Sequence, residues 1–311
     1  MEIFLNVVFL ALGFVMLWKG ADWFVDGASA VASKFGIPQI IIGLTIVAMG
    51  TSAPEACVSI MGSIQGNGDI AVGNVVGSNV LNVLIILGLS AVVLPLIVQK
   101  NTVYIEVPFV IAVTVILLLL GLDGKIGRID GVIFLLLFIV YLVYLYICAR
   151  KNKEEPLEEP EKQKPLWLSI LFTVLGLAIV IAGSQFTVDT ATFLAKKIGL
   201  SERIIGLTIV ALGTSLPELF TSVSASRKNN PDIAIGNIIG SNIFNIIFVL
   251  GLASVISPLS FAKDFIIDAF FAIGAVVMLL LIVLPKKRLP RWAGALMLAS
   301  YVVYFVILLI K

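Results

Sequence analysis

Histidine is missing from this 311-residue chain, and cysteine occurs only twice. Without histidine there is no imidazole-ligated zinc and no Ser-His-Asp chemistry. Cys57 and Cys148 lie in separate apolar runs, with neither the spacing of a metal site nor the pairing of a disulfide framework. Charge is also scarce: 13% of residues are Asp, Glu, Lys or Arg, and the net charge is +2. There is no basic tail or patch for nucleic acid to bind. The first residues, "MEIFLNVVFLALGFVMLWKG", carry Glu2 and no basic n-region, and no A-x-A-like cleavage site follows. They read as a retained first helix, not a signal peptide. What remains is apolar: 60% of the chain, at a mean hydropathy of +1.12. A soluble domain, at about 45–50% apolar, cannot hide that much.

The expectation is an all-α polytopic membrane protein. A bilayer core of about 30 Å takes about 20 apolar residues per helix. Ten such segments are expected, at 3–31, 38–64, 70–95, 103–121, 129–149, 166–194, 203–226, 233–258, 265–284 and 291–310. Between the fifth and sixth, the charged run "RKNKEEPLEEPEKQKP" (150–165) carries three prolines and reads as a solvated linker. It divides a first half, 1–149 (core 38–96), from a second, 166–311 (core 203–259). With the N-terminus outside, thirteen Lys and Arg fall on the cytoplasmic side and seven on the other. The positive-inside bias then places both termini outside and the linker in the cytoplasm. A compact chain of this kind is expected in a prokaryotic plasma membrane, working as a monomer.

The halves repeat. At a shift of 163 residues, "IIGLTIVAMGTSAPE" (41–55) lies on "IIGLTIVALGTSLPE" (204–218), and "DIAVGNVVGSNVLN" (69–82) on "DIAIGNIIGSNIFN" (232–245). From 41 to 96 the copies agree without a gap at 31 of 56 positions. Gly20, Asp26 and Gly36 pair with Gly183, Asp189 and Gly199. Five spans per half is an odd number, so the second copy enters the membrane from the opposite side. The halves are therefore inverted, and equivalent motifs meet near the midplane.

Those motifs carry polar chemistry where lipid would forbid it. Pro54 has no N–H and displaces the carbonyl of Gly50, so the second span is expected to break around Gly50–Ala53. Gly213–Pro217 repeats the break. Carbonyls freed there cannot face lipid but can face a cation. Behind each proline stands an acid, Glu55 or Glu218. A charged residue at bilayer depth costs about 2.5–3.5 kcal/mol or more. Two at matched positions repel unless protonated or bridged. Ca²⁺ takes 6–8 oxygens from carboxylates and carbonyls, which two glutamates and the carbonyls of Thr51 and Thr214 would go far to supply. Ser78 and Asn82 share a helix face, as do Ser241 and Asn245. Their neutral oxygens suit Na⁺. Gly73, Gly77, Gly236 and Gly240 let helices approach closely. Each feature has a plainer reading: glycine spacing as packing, the serines and asparagines as interhelical hydrogen bonds, a single glutamate as a protonated structural group. Lys19 and Asp22 read as a pair or as snorkelling side chains, and Asp26 and Asp189 as residues near the water interface. "GNGD" (66–69) matches the short signature of intramembrane aspartyl proteases, which need two aspartates sharing a proton.

"GTSAPE" and "GTSLPE", followed by "GNVVGSN" and "GNIIGSN", resemble the α-repeats of the Ca²⁺/cation antiporter superfamily, especially sodium/calcium exchangers. The resemblance implies antiport of Ca²⁺ against Na⁺, usually three Na⁺ per Ca²⁺, with no resident cofactor and no enzymatic activity. It implies a central Ca²⁺ site on Glu55, Glu218 and the carbonyls of Thr51 and Thr214. It further implies Na⁺ sites lined by Ser52, Ser215, Ser78, Ser241 and the carbonyls of Ala48 and Ala211, with Asn82 and Asn245 completing the centre. Asparagine at 245, where several prokaryotic and potassium-dependent exchangers carry aspartate, speaks against K⁺ co-transport. The short linker has no room for calcium-sensing domains. Ca²⁺/H⁺ exchange remains the alternative transport reading.

Overall fold

A computed structural model describes residues 2–151, 165–199 and 211–310. In hydrocarbon every peptide group must find its partner within the protein, and a helix does this locally. The apolar runs accordingly form helices: Glu2–Phe35, Gly68–Val93, Thr102–Asp123, Arg128–Lys151, Leu166–Lys197, Pro231–Ile256, Lys263–Lys286 and Arg291–Ile310. The second span is Gln39–Thr51 followed by Ala53–Ile64, bent by 49° at Ser52. The seventh, expected over 203–226, is described only from Ala211, as Ala211–Thr214 and Leu216–Arg227. Its earlier part and residues 152–164 of the linker lie outside the described residues.

Burial sorts the spans into a centre and a rim. The third and eighth are buried over 78% and 83% of their apolar windows, the first and sixth over only 17% and 22%. The motif-bearing helices thus form the core, and the long first and sixth helices lie against it as a pair. Glycines set the closeness of that pair. A Cβ at Gly20 would sit 2.9 Å from the backbone N of Val180, and one at Gly176 only 2.4 Å from that of Phe24. Gly13 and Gly176, like Gly20 and Gly183, are equivalent under the 163-residue shift.

Two short antiparallel clips show how the halves are related. β1 (Leu96–Ile97) pairs with β4 (Arg288–Leu289), and β2 (Lys125–Ile126) with β3 (Leu259–Ser260). The shift maps β1 onto β3 and β2 onto β4, so each clip is the symmetry mate of the other. The β1–β4 clip lies where the fifth span ends and the linker begins; we call this the linker side, and the opposite one the far side. Turn geometry repeats as well: Gly36 and Gly199 both take left-handed φ (63° and 85°), closing the first and sixth helices.

On the linker side, charge ties the first helix to the seventh. Lys228 Nζ lies 2.5 Å from Asp26 Oδ1 and donates to Asp22 O at 2.8 Å, and Ser224 Oγ donates to Asp22 Oδ1 at 2.5 Å. Arg227 stacks on Trp18 at 4.1 Å. The partner of Asp22 is therefore across the helix interface and not Lys19, because Lys19 projects outward from the exposed face of its helix. Asp189, exposed, accepts from Gln185 one turn away.

The eighth span meets the second just as closely. A Cβ at Gly240 would lie 2.7 Å from Ala48 Cβ and 2.8 Å from Leu44 Cα. At Gly73 the nearest contact is Phe265 at 3.4 Å, and at Gly77 none falls within 4 Å among the described residues. Gly240→Val is expected to separate the two spans and destabilise the protein by about 1–3 kcal/mol. Thermal unfolding in detergent checks this; an unchanged midpoint would contradict the packing.

Candidate ion-binding site

The bend at Ser52 has a covalent origin. Pro54 cannot donate to the carbonyl of Gly50, so the helix stops and restarts with Pro54 in its new first turn. Glu55 follows at once and is directed inward, 1% exposed. Ser215, Pro217 and Glu218 repeat the arrangement, and Glu218 is fully buried.

The two acids meet across the inverted halves, each held by the serine of the other. Ser215 Oγ donates to Glu55 Oε1 at 3.0 Å, and Ser52 Oγ donates to Glu218 Oε1 at 2.7 Å. Among the described residues neither carboxylate forms an ion pair with Lys or Arg, and Oε2 of each is buried with no hydrogen-bond partner. Two buried acidic side chains, with one oxygen apiece unclaimed, have the charge and ligand type that a cation receptor needs.

Neutral oxygens surround them. Ser78 Oγ lies 3.3 Å from Ser215 Oγ, and Ser241 Oγ donates to the carbonyl of Ala48 at 3.4 Å. That carbonyl also accepts from the N–H of Ser52 at 3.0 Å. Asn82 and Asn245 are buried, and Oδ1 of each is unpartnered. Both asparagines open π-helical turns, Asn82–Leu87 and Asn245–Leu250, a distortion that gathers at functional sites. Thr51 is fully buried; Thr214 is not, and its Oγ1 has no partner among the described residues. Ala211 begins a helical turn, and only its backbone is described. The structure thus forms two hydrogen-bonded groups across the halves, Glu55 with Ser215 and Ser78, and Glu218 with Ser52, the second joined through the Ala48 carbonyl to Ser241.

Several supporting residues are not singled out in the sequence. Asn74 Nδ2 donates to the carbonyl of Glu55 at 3.2 Å and to Ser59 Oγ at 3.0 Å. Asn237 does the same to the carbonyl of Glu218 at 3.3 Å and to Ser222 at 2.9 Å. The signal was present: Asn74 and Asn237, Ser59 and Ser222 recur at the same shift as the acids.

One element of this symmetry is broken. On the linker side Thr51 Oγ1 donates to Asn237 Oδ1 at 3.0 Å. The equivalent bond from Thr214 to Asn74 is not formed, and a cleft of about 430 Å³ reaches Asn74, Ser78 and Thr214 from the far side. Asp69 and Asp268 line it. Among the described residues, the cleft thus approaches Ser78 and Thr214 from the far side, while the Thr51–Asn237 bond lies toward the linker side. The aspartyl-dyad pattern has no counterpart here. Asp69 accepts from Ser260 on the far side, Asp232 from Gln99 Nε2 at 2.7 Å on the linker side, so the two cannot share a proton.

The inverted core and the paired break-and-acid motifs are those of a two-repeat membrane ion exchanger, and the comparisons with known proteins agree. The family described as sodium/calcium exchanger protein matches residues 5–147 and 168–310, the same 163-residue offset. The chain belongs to this family. It is 36% identical to the sodium/calcium exchanger MaX1 of Methanosarcina acetivorans, covering 97% of this chain and 98% of that one. It is also 36% identical to the inner membrane protein YrbG of Escherichia coli, over 98% and 97% of the two. The solved sodium-calcium exchanger NCX_Mj superposes with a TM-score of 0.86 at 34% identity, covering 98% of this chain and 99% of that one.

Asn237 holds three groups at once: Glu218, Ser222 and Thr51. Asn237→Leu removes the amide from the buried Ser222 hydroxyl and from the Glu218 carbonyl, and takes one acceptor from Thr51, whose hydroxyl still reaches the carbonyls of Val47 and Ala48; a buried group left unsatisfied costs about 1–3 kcal/mol. Its thermal midpoint is expected to fall further than that of Asn74→Leu, whose amide serves two. Equal losses would contradict the asymmetry.

Proposed function

We propose that the chain is a secondary antiporter exchanging Ca²⁺ for Na⁺ across the plasma membrane, independently of K⁺, with both termini outside. The observation that carries this reading is the convergence of Glu55 and Glu218 with their free oxygens in one buried space. The two carboxylates neutralise one Ca²⁺, and the carbonyls of Thr51 and Thr214 add neutral ligands. Ser52, Ser215, Ser78 and Ser241, with the carbonyls of Ala48 and Ala211, serve Na⁺ around that centre, and Asn82 and Asn245 complete it. A neutral amide at 245 adds no further negative charge for K⁺ to balance. Transport of this kind needs no resident cofactor and makes or breaks no covalent bond, and a single chain holds the whole site.

Because Ca²⁺ and Na⁺ draw on the same two carboxylates, loading of one displaces the other. Strict exchange follows if the site opens to one side at a time. The formed Thr51–Asn237 bond and the open Thr214–Asn74 counterpart describe one of two such forms. The inverted halves make the other available by exchanging roles, with the glycine-lined first and sixth helices as the moving pair. With three Na⁺ entering per Ca²⁺ leaving, one net charge crosses, and the membrane potential adds about 2.3 kcal/mol per 100 mV.

In proteoliposomes, an outward Na⁺ gradient is expected to drive uptake of radiolabelled Ca²⁺, while K⁺ and H⁺ gradients alone are not. Glu55→Gln and Glu218→Gln are each expected to abolish that uptake. Wild-type-like flux in either variant would reject the assigned ligands, and uptake driven by a pH gradient without Na⁺ would favour Ca²⁺/H⁺ exchange.

The Lys228 tie has no equivalent in the other half, where Gln65 and Gln185 replace Lys228 and Asp22. It therefore favours the form closed on the linker side. Lys228→Met is expected to raise labelling of a Leu44→Cys reporter by an impermeant thiol reagent applied from the linker side. Unchanged labelling would show that the tie does not weight the equilibrium.

A further inference from the structure

At the centre of the molecule four buried asparagines form a ring that joins the third and eighth spans. Asn79 Nδ2 donates to the carbonyl of Asn242 at 3.1 Å, and Asn242 Nδ2 donates to the carbonyl of Asn79 at 3.2 Å. Asn82 Nδ2 donates to Asn242 Oδ1 at 3.0 Å, and Asn245 Nδ2 to Asn79 Oδ1 at 3.2 Å. The shift of 163 residues maps each bond onto its mate. All four side chains are at most 3% exposed.

Hydrogen-bond polarity fixes every amide in this ring. A backbone carbonyl can only accept, so the Asn242 nitrogen must face the carbonyl of Asn79. The Asn242 oxygen is then turned to Asn82, and only the Asn82 nitrogen can answer it. This leaves Asn82 Oδ1 pointing away from the ring and unpartnered. The same sequence, begun at the carbonyl of Asn242, leaves Asn245 Oδ1 unpartnered. Asn82 lies one turn from Ser78, and Asn245 one turn from Ser241, on the faces that border the acids. Without the ring each amide could rotate by half a turn and present N–H groups, which repel a cation, at no loss of shape.

We infer that Asn79 and Asn242 are positioning residues, which lock the amides of Asn82 and Asn245 with oxygen toward the ions. This rests on the exchange reading above. Neither residue touches the ions; each acts through the asparagine of the opposite half. The polarity of two ligands is thus set by cross-half bonds, so the receptor exists only when both repeats are docked.

The test is radiolabelled Ca²⁺ uptake into Na⁺-loaded proteoliposomes over a range of Ca²⁺ concentrations. The proteins are wild type, Asn242→Leu, Asn82→Leu and the double variant. Asn242→Leu is expected to raise KM for Ca²⁺ about tenfold, the usual scale for a group that orients a metal ligand. The double variant is expected to be no worse than Asn82→Leu alone, because the same ligand is lost once. A lowered maximal rate with unchanged KM, or losses that multiply in the double variant, would overturn the inference. Asn79→Leu with Asn245→Leu repeats the test in the mirror pair. Failure of both pairs to yield folded protein would assign the ring a structural role and equally overturn it. Failure of the exchange reading is distinct: wild-type protein would then show no Na⁺-dependent uptake.

Discussion

Two buried carboxylates, with no Lys or Arg paired to either among the described residues, constrain the rest of this structure. Such a pair is unfavourable in a bilayer unless something positive sits between them or protons neutralise them. Everything near the centre serves to make that arrangement tolerable. Each glutamate accepts from the serine of the opposite half, each has its backbone carbonyl tied by an asparagine, and each follows a proline that opens the helix. Hydrogen bonding satisfies one oxygen of each acid and leaves the other without a partner among the described residues.

The inverted duplication converts this local chemistry into a machine. A motif that places an acid, a serine and a break on one helix becomes, when repeated upside down, a pocket with a nearly symmetric lining. Symmetry gives the two access states similar energies. The structure departs from it at a few named points, in the Thr51–Asn237 bond and in the ion pairs of Lys228, both on the linker side. The close glycine contacts between the first and sixth helices hold these two together as a pair beside the core.

Much of this was legible in the sequence because its cause is local or repeated. Long apolar runs mark the spans, a proline before a glutamate marks the break, and the 163-residue offset marks the inversion. Other features depend on contacts between distant residues and left no such trace. The partner of Asp22 is Lys228, about 200 positions away, whereas proximity in sequence suggests Lys19. The π-helical turns at Asn82 and Asn245 leave no mark in hydropathy. Asn79 and Asn242 recur as plainly as the residues beside them, yet only their side-chain bonds across the interface reveal what they hold. The clips between β1 and β4, and between β2 and β3, are two residues long, too short to register as strands in any periodic pattern.

The central claim is that a single divalent ion joins the two halves through Glu55 and Glu218. A crystal structure of the Ca²⁺-loaded protein tests it most directly. The account predicts one ion at about 2.3–2.6 Å from Oε2 of both glutamates, the Ca²⁺–oxygen distance. An ion bound to only one of them, or held elsewhere while Ser52 and Ser215 keep their bonds to an empty pair of acids, would contradict it.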